Sequence, residues 1–361
     1  MNTRTLCFQR LANQQLFGSR FQQAADLVRW FGAIQSQEYA MAKWAVGVRV
    51  SGIDDATVEQ AFNDGQILRT HVLRPTWHFV APGDIRWMLA LSAPRVRAAS
   101  AYMHRQVGLD DAMFRRSNAA IARALRGGQQ LTRAALQREL EHAGIIAHGT
   151  KLVYLLMHAE LDGLICSGAR QERQFTYALL EERVPKAPPL DRDTALIELA
   201  RRYYRSRGPA TKKDFAWWSG LTMKDASAAT AGLGTEFSRD NIDGREHFFP
   251  TVASMSRKRP TPVLLPEFDE YGIAYQDRTA LFGPPGSQRE TLSPASAYSQ
   301  TIIVDGRIVG HWRRTEARGS MGLEFALRTP LPSRVHREII SAAERYAAFL
   351  GRPTTFTFRS P

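Results

Sequence analysis

The 361-residue chain is poor in cysteine and lysine and has no long apolar run. Its two cysteines, Cys7 and Cys166, are too few and too far apart for a disulfide framework or a zinc knuckle. Its nine histidines show no HExxH spacing, so neither a metal nor another cofactor is expected. No stretch approaches the roughly 18 consecutive apolar residues of a membrane span. The opening MNTRTLCFQR has no apolar core of a signal peptide, which makes a cytoplasmic location the expectation.

What the chain does have is positive charge. Lys and Arg number 48 against 35 Asp and Glu, a net charge of +13, and the isoelectric point is near 10.1. Only 7 of the cations are lysine, so arginine supplies the other 41. One reading is a polyanionic partner, most simply nucleic acid, because clustered cations release condensed counterions on binding. The other is a GC-rich coding sequence, in which surface arginine and alanine are common without a purpose. The 44% hydrophobic and 23% charged content excludes wholesale disorder. The length exceeds the roughly 250–300 residues at which single cores stop growing, so two or three domains are expected.

A repeated pattern organises the chain. In its clearest copy Leu131–Gly144 reads as an amphipathic helix that Thr132 can cap and Gly144 can stop. His148–Gly163 reads as a second helix. Leu164–Ser167 and Gln174–Leu179 follow as strands around Gly168-Ala169-Arg170-Gln171-Glu172-Arg173. Two helices and a hairpin are the winged-helix layout. A further copy has helices at Arg192–Arg207, Thr211–Ser219 and Thr222–Ala231, then strands Thr235–Arg239 and Arg245–Phe249 around the turn Asn241–Gly244. The first copy has helices Phe21–Ala33 and Asp55–Asn63, with Gln66–Arg69 and Thr76–Val80 as wing strands. Pro82–Met103 reads as a long helix, and the prolines of Pro185–Leu190 make that segment a linker. From Pro260 short β-rich runs take over: Val263–Leu265, Tyr298–Val304, Arg307–Trp312 and Thr354–Phe358. Turns fall at Asp305-Gly306 and Gly283-Pro284-Pro285-Gly286, and one helix at Ser333–Leu350. The expectation is an α+β chain: a first winged helix over 1–82, a connecting helix over 83–115, winged helices over 116–184 and 185–259, and an antiparallel β-barrel or sheet with one helix over 260–361.

Candidate functional residues cluster near the start. Gln35 and Gln37 fall at the end of the first strong helix, where capping or solvated residues are also common. Strand alternation puts Arg74, Thr76 and His78 on one face and Pro75, Trp77 and Phe79 on the other, a basic face that could line a site. His78 reads equally well as a partly buried residue bonded to backbone. Arg170 and Arg173 sit at a hairpin tip suited to a minor groove or a pair of phosphates. Lys151 in the second recognition helix, and Lys212 and Lys213 at a helix start, are further phosphate candidates. Trp217, Trp218 and Trp312 read as core.

The segment Gly32-Ala33-Ile34-Gln35-Ser36-Gln37 resembles the mark of the winged-helix DNA glycosylases of the AlkZ/YcaQ type, a Gln-x-Gln or Gln-x-Asp pair behind a Gly-Ala-hydrophobic approach. Three more segments resemble that family in its order. They are Leu73-Arg74-Pro75-Thr76-Trp77-His78-Phe79-Val80, Leu264-Leu265-Pro266-Glu267-Phe268-Asp269-Glu270-Tyr271 with Asp277-Arg278 beyond it, and Val304–Arg313 with its glycine-tryptophan hairpin. The resemblance implies three tandem winged helices scaffolding a β-barrel, and removal of alkylated bases from DNA, including bulky adducts and some interstrand crosslinks. Relatives serve in the self-resistance of antibiotic producers. It implies that Gln35 and Gln37 are the catalytic pair, that the partner is double-stranded DNA containing alkylated bases, and that the protein works as a monomer. The middle position of the motif is often hydrophobic in the family and is Ser36 here, which bears on the substrate range.

The chemistry suits two amides. A purine alkylated at N3 or N7 is cationic and already a good leaving group. What remains is to hold a water and to favour the oxocarbenium-like sugar, and a glutamine carbonyl oxygen can do both. Glu38 is an alternative base. No lysine is placed to form a Schiff base, so the expectation is a monofunctional glycosylase. The reading from another class is a non-catalytic winged-helix regulator or a protein that sequesters damaged DNA.

Overall fold

The computed structural model describes residues 2–18, 20–251, 259–282, 294–317 and 320–359. The expected turn Gly283-Pro284-Pro285-Gly286 lies outside the described residues. The chain divides into two compact units. One comprises Met1–Glu59, Ile197–Trp218 and Thr222–Pro361, the other Gln60–Leu196 and Ser219–Leu221.

One order of elements recurs three times along the chain: helix, short strand, two helices, two strands. The first run is Ala24–Phe31, Ala33–Gln35, Tyr39–Gly47, Asp55–Asn63, Leu68–His71 and Trp77–Val80. The second is Asp111–Leu125, Leu131–Thr132, Arg133–His142, Gly149–Leu161, Ile165–Ser167 and Thr176–Leu179. The third is Arg192–Arg207, a single bridge at Ala210, Lys212–Ser219, Met223–Ala231, Phe237–Ile242 and Arg245–Pro250. In the second run Leu131–Thr132 and Ile165–Ser167 flank Thr176–Leu179 in an antiparallel sheet. Leu125, Leu136, Leu140, Leu152, Leu155 and Ile165 fill the core beneath it. In the third, Ala210 and Phe248 exchange backbone hydrogen bonds of 3.1 and 2.8 Å. Its hairpin turns at Asp243-Gly244 alone, both at positive φ (51° and 76°), so the first strand runs three residues further toward the turn than expected, to Ile242, and the second starts at Arg245 as expected.

The C-terminal part of the first unit is a five-stranded sheet. From one edge it runs Thr354–Arg359, Ser320–Leu327, Arg307–Ala317, Thr301–Val304 and Val263–Leu265. The antiparallel expectation needs correction at one seam, because Ser320–Leu327 and Thr354–Arg359 pair in parallel. Parallel neighbours need a crossover, and the helix Ser333–Leu350 supplies it. Its apolar stripe (Val335, Ile339, Ala342, Ala343, Tyr346, Phe349) is buried.

The helix Tyr39–Gly47 packs on that assembly. Trp44 donates its indole N–H to the Leu264 carbonyl at 2.9 Å, and its ring lies 4.9 Å from Tyr346 and 5.2 Å from Phe349. Gly47 makes the approach possible, since a Cβ there would fall 2.4 Å from Phe349 Cε2. Trp218 and Trp312 are core residues as expected, but Trp217 is 41% exposed. Its indole N–H reaches the Ile273 carbonyl at 3.1 Å, and the Arg278 guanidinium lies over its ring at 5.4 Å.

Candidate active site

The glutamines do not end a helix. The helix Ala24–Phe31 stops at Gly32, whose φ of +75° turns the chain, and Ala33–Gln35 continues as a short strand. The next helix starts at Tyr39 with Glu38 as its N-cap residue. The motif therefore occupies the junction between the short strand and the second helix of the first repeat. Extended backbone alternates its side chains. Gln35 is half-buried, Ser36 is fully buried, and Gln37 and Glu38 are exposed. The middle position thus faces the interior, a physical reason for an apolar residue to be common there.

A buried charge network sits behind this strand. Gln35 donates its backbone N–H to Glu270 Oε1 at 2.9 Å. Glu270 Oε2 accepts from Arg207 Nε (2.9 Å), Arg207 Nη2 (2.7 Å) and the Trp218 indole (3.0 Å). Arg207 in turn donates to the carbonyls of Phe31 at 2.8 Å and Ala33 at 2.6 Å. Glu270 and Arg207 are both completely buried. The neighbouring Asp269 makes a second buried pair with Arg49. Sequence reasoning reached Asp269 and Glu270 only as part of a motif, and it missed Arg49, Arg207 and Trp218 as parts of the site. The pairs span 63 and 220 residues, and nothing local marks such partners.

Close to the motif, the Glu267 carboxyl is held above the usual carboxylate range, first by partial burial and then by the charge of Glu38. On the helix after the motif, Lys43 is nearly buried and donates to Asp55 at 2.7 Å and Glu59 at 2.8 Å. Among the described residues no group of three or more His, Cys, Asp or Glu is arranged to hold a metal ion. None of their helices is long and apolar enough to cross a membrane.

The remaining candidates separate. Lys212 and Lys213 share the unit of the glutamines. Lys212 Nζ lies 3.5 Å from Glu246, and Lys213 is exposed. The other unit carries Arg74, Thr76, His78, Lys151, Arg170 and Arg173. The expected alternation over 74–78 is corrected, because the strand begins at Trp77 and Arg74 to Thr76 form a bend before it. His78 is fully buried, with Nδ1 2.9 Å from the Thr76 carbonyl, in line with the backbone-bonded alternative. Lys151 is half-buried near the start of Gly149–Leu161. Gln171 and Gln174 close a tight turn through backbone bonds of 3.0 and 2.9 Å. That turn leaves Arg173 exposed at its apex, whereas Arg170 leans over the Phe175 ring at 4.5 Å.

Comparison with known proteins finds relatives of this chain. Residues 28–349 match the family described as DNA glycosylase AlkZ-like. A curated relative, the interstrand DNA cross-link repair glycosylase of Streptomyces sahachiroi, is 24% identical over 350 residues, which is 91% of this chain and 90% of that protein. The solved structure of the Streptomyces sahachiroi DNA glycosylase AlkZ superposes with a TM-score of 0.78 at 21% identity, covering 99% of both chains.

Proposed function

The chain belongs to the AlkZ-like DNA glycosylase family, and from that premise we propose that it hydrolyses the N-glycosidic bond of cationic alkylated purines in double-stranded DNA, interstrand crosslinks among them. The similarity to a relative named for cross-link repair supports the crosslink part of this reading. In this reading Gln35 and Gln37 are the catalytic pair, the three repeats are winged helices that grip DNA, and the protein acts as a monomer. The observation that carries it is the family match across the strand junction, where Gln37 is exposed and Gln35 half-buried, within reach of a substrate.

The reaction needs little from the protein. The C1′–N bond breaks with its electron pair passing to the cationic base, which leaves neutral. Positive charge develops on the sugar, and a water adds at C1′ and loses its proton to solvent. A glutamine carbonyl oxygen accepts a hydrogen bond from that water and turns its dipole toward the developing charge. Neither amide is a strong base or an acid, so the scope is narrow: activated, cationic adducts react and normal bases do not.

The test is incubation with duplex DNA containing N7-methylguanine, then hot alkali to cut at abasic sites. Wild type yields cuts, and Gln37→Ala lowers the rate by about 10²–10³, as for other well-aimed polar groups. A duplex crosslinked through N7 of two purines is tested in parallel for unhooking on a denaturing gel. Wild-type protein that binds both DNAs and yields no abasic sites would leave a DNA-binding protein without this chemistry.

A further inference from the structure

We infer that Arg207 and Glu270 are positioning residues for the glutamine pair: together they stand in for a missing neighbour strand along one edge of Ala33–Gln35. The inference rests on the reading of Gln35 and Gln37 as the catalytic pair. In an extended chain the backbone polar groups of residues two apart face the same side. Ala33 and Gln35 are such a pair, and the carbonyl of Phe31, the last residue of the preceding helix, is held beside them, so that each presents one group to the buried ion pair. Arg207 Nη1 meets the Phe31 carbonyl at 2.8 Å, Arg207 Nη2 meets the Ala33 carbonyl at 2.6 Å, and Glu270 Oε1 takes the Gln35 N–H at 2.9 Å. A donor opposite a carbonyl and an acceptor opposite an N–H are what a paired strand would offer.

The pair is itself fixed. Glu270 Oε2 receives three N–H groups, two from Arg207 and one from Trp218, and Arg207 Nη1 also reaches Ser206 Oγ at 2.7 Å. The guanidinium lies 4.2 Å from the Trp218 ring and 4.8 Å from the Phe31 ring. Side chains of this kind hold a backbone more tightly than a solvated edge would, because charged groups make the stronger hydrogen bonds. The consequence falls on the amides two positions apart at the end of the strand. A misplacement of about 1 Å costs roughly 10²-fold in rate where geometry carries the catalysis.

The experiment uses the full-length protein and the N7-methylguanine duplex in single turnover. Arg207→Lys keeps the charge and loses the fork. Glu270→Gln keeps the shape but cannot accept all four N–H groups. Trp218→Phe removes one donor and keeps the bulk, so it carries the test if the other two fold poorly. Rates are expressed per folded molecule, and affinity is read with the same duplex. The expected result is a rate lowered roughly 10- to 100-fold for Arg207→Lys and Glu270→Gln, and less for Trp218→Phe, with DNA affinity within about twofold. In a background lacking both amides (Gln35→Ala with Gln37→Ala) the same substitutions add little, because the positions they secure are no longer used. Amide exchange of the segment holding Gln35 accelerates in Glu270→Gln whether or not the enzyme turns over. Unchanged rates per folded molecule, losses that multiply in the background lacking both amides, or unchanged exchange at Gln35 would each overturn the inference. Accelerated exchange in a protein whose wild type has no activity would instead strike the proposed reaction and leave the backbone clamp standing.

Discussion

Arg49 and Asp269 meet through two parallel hydrogen bonds of 2.7 Å each, with both side chains closed to solvent. The remaining Arg49 donors reach the Ala45 carbonyl at 2.8 Å and Gln14 at 3.0 and 3.2 Å. Asp269 Oδ1 also caps the next short helix through the Tyr271 N–H at 2.8 Å. The pair therefore ties Gln14, at the end of the N-terminal helix Thr3–Asn13, the helix after the glutamines and the short helix Glu270–Ile273 to one another. Removing one partner of such a pair leaves an uncompensated buried charge, which costs about 3–5 kcal/mol. Asp269→Asn is expected to lower the urea midpoint by that equivalent. Replacing both residues, as Arg49→Met with Asp269→Leu, is expected to recover much of the loss. A single variant within about 0.5 kcal/mol of wild type, the size of an ordinary surface substitution, would show that the pair does not hold these elements.

Much of the fold was legible because its helices carry one apolar stripe and ordinary stops. Asp55–Asn63, Arg192–Arg207 and Ser333–Leu350 appear at the bounds that patterning gives them. The helix Tyr39–Gly47 was not, and its composition explains why. Seven of its nine residues are buried, Lys43 among them, so no polar face sets a 3.6-residue rhythm. The strand Ser320–Leu327 did carry a signal, since Met321, Leu323, Phe325 and Leu327 are buried in alternation. At the site, the residue types of the motif pointed to Gln35 and Gln37, whereas the ion pairs behind them depend on partners that only the tertiary fold assembles.

Glu267 gives the site neighbourhood a definite response to pH. Partial burial and then the charge of Glu38 hold its carboxyl above the ordinary value. The folded protein therefore binds the proton more tightly than the unfolded chain does. Stability from this group is complete at pH below the unfolded value and is lost as pH rises through the folded one. Glu267→Gln cannot lose a proton. Its melting temperature, measured against pH, is expected to match wild type in the most acid range and to exceed it from just above the ordinary carboxylate range upward. A difference between the two proteins that does not change with pH would mean that the Glu267 carboxyl is not displaced.

Exposed cations offer a quantitative test of how duplex DNA is gripped. Arg173 stands at the apex of a tight turn, and Lys213 is exposed at the start of a helix. Lys212, its neighbour, already faces Glu246 at 3.5 Å. Each cation that neutralises a phosphate contributes about 0.9 to the slope of log affinity against log salt on B-form DNA. Arg173→Ala and Lys213→Ala are each expected to flatten that slope by about this amount and to weaken binding to unrelated sequences alike. Lys212→Ala is expected to flatten it less, because Glu246 already offsets part of its charge. Binding titrations from low to moderate salt with an undamaged duplex measure all three. A slope unchanged by Arg173→Ala would remove the hairpin tip from the DNA contact, and one unchanged by Lys213→Ala would remove that helix start.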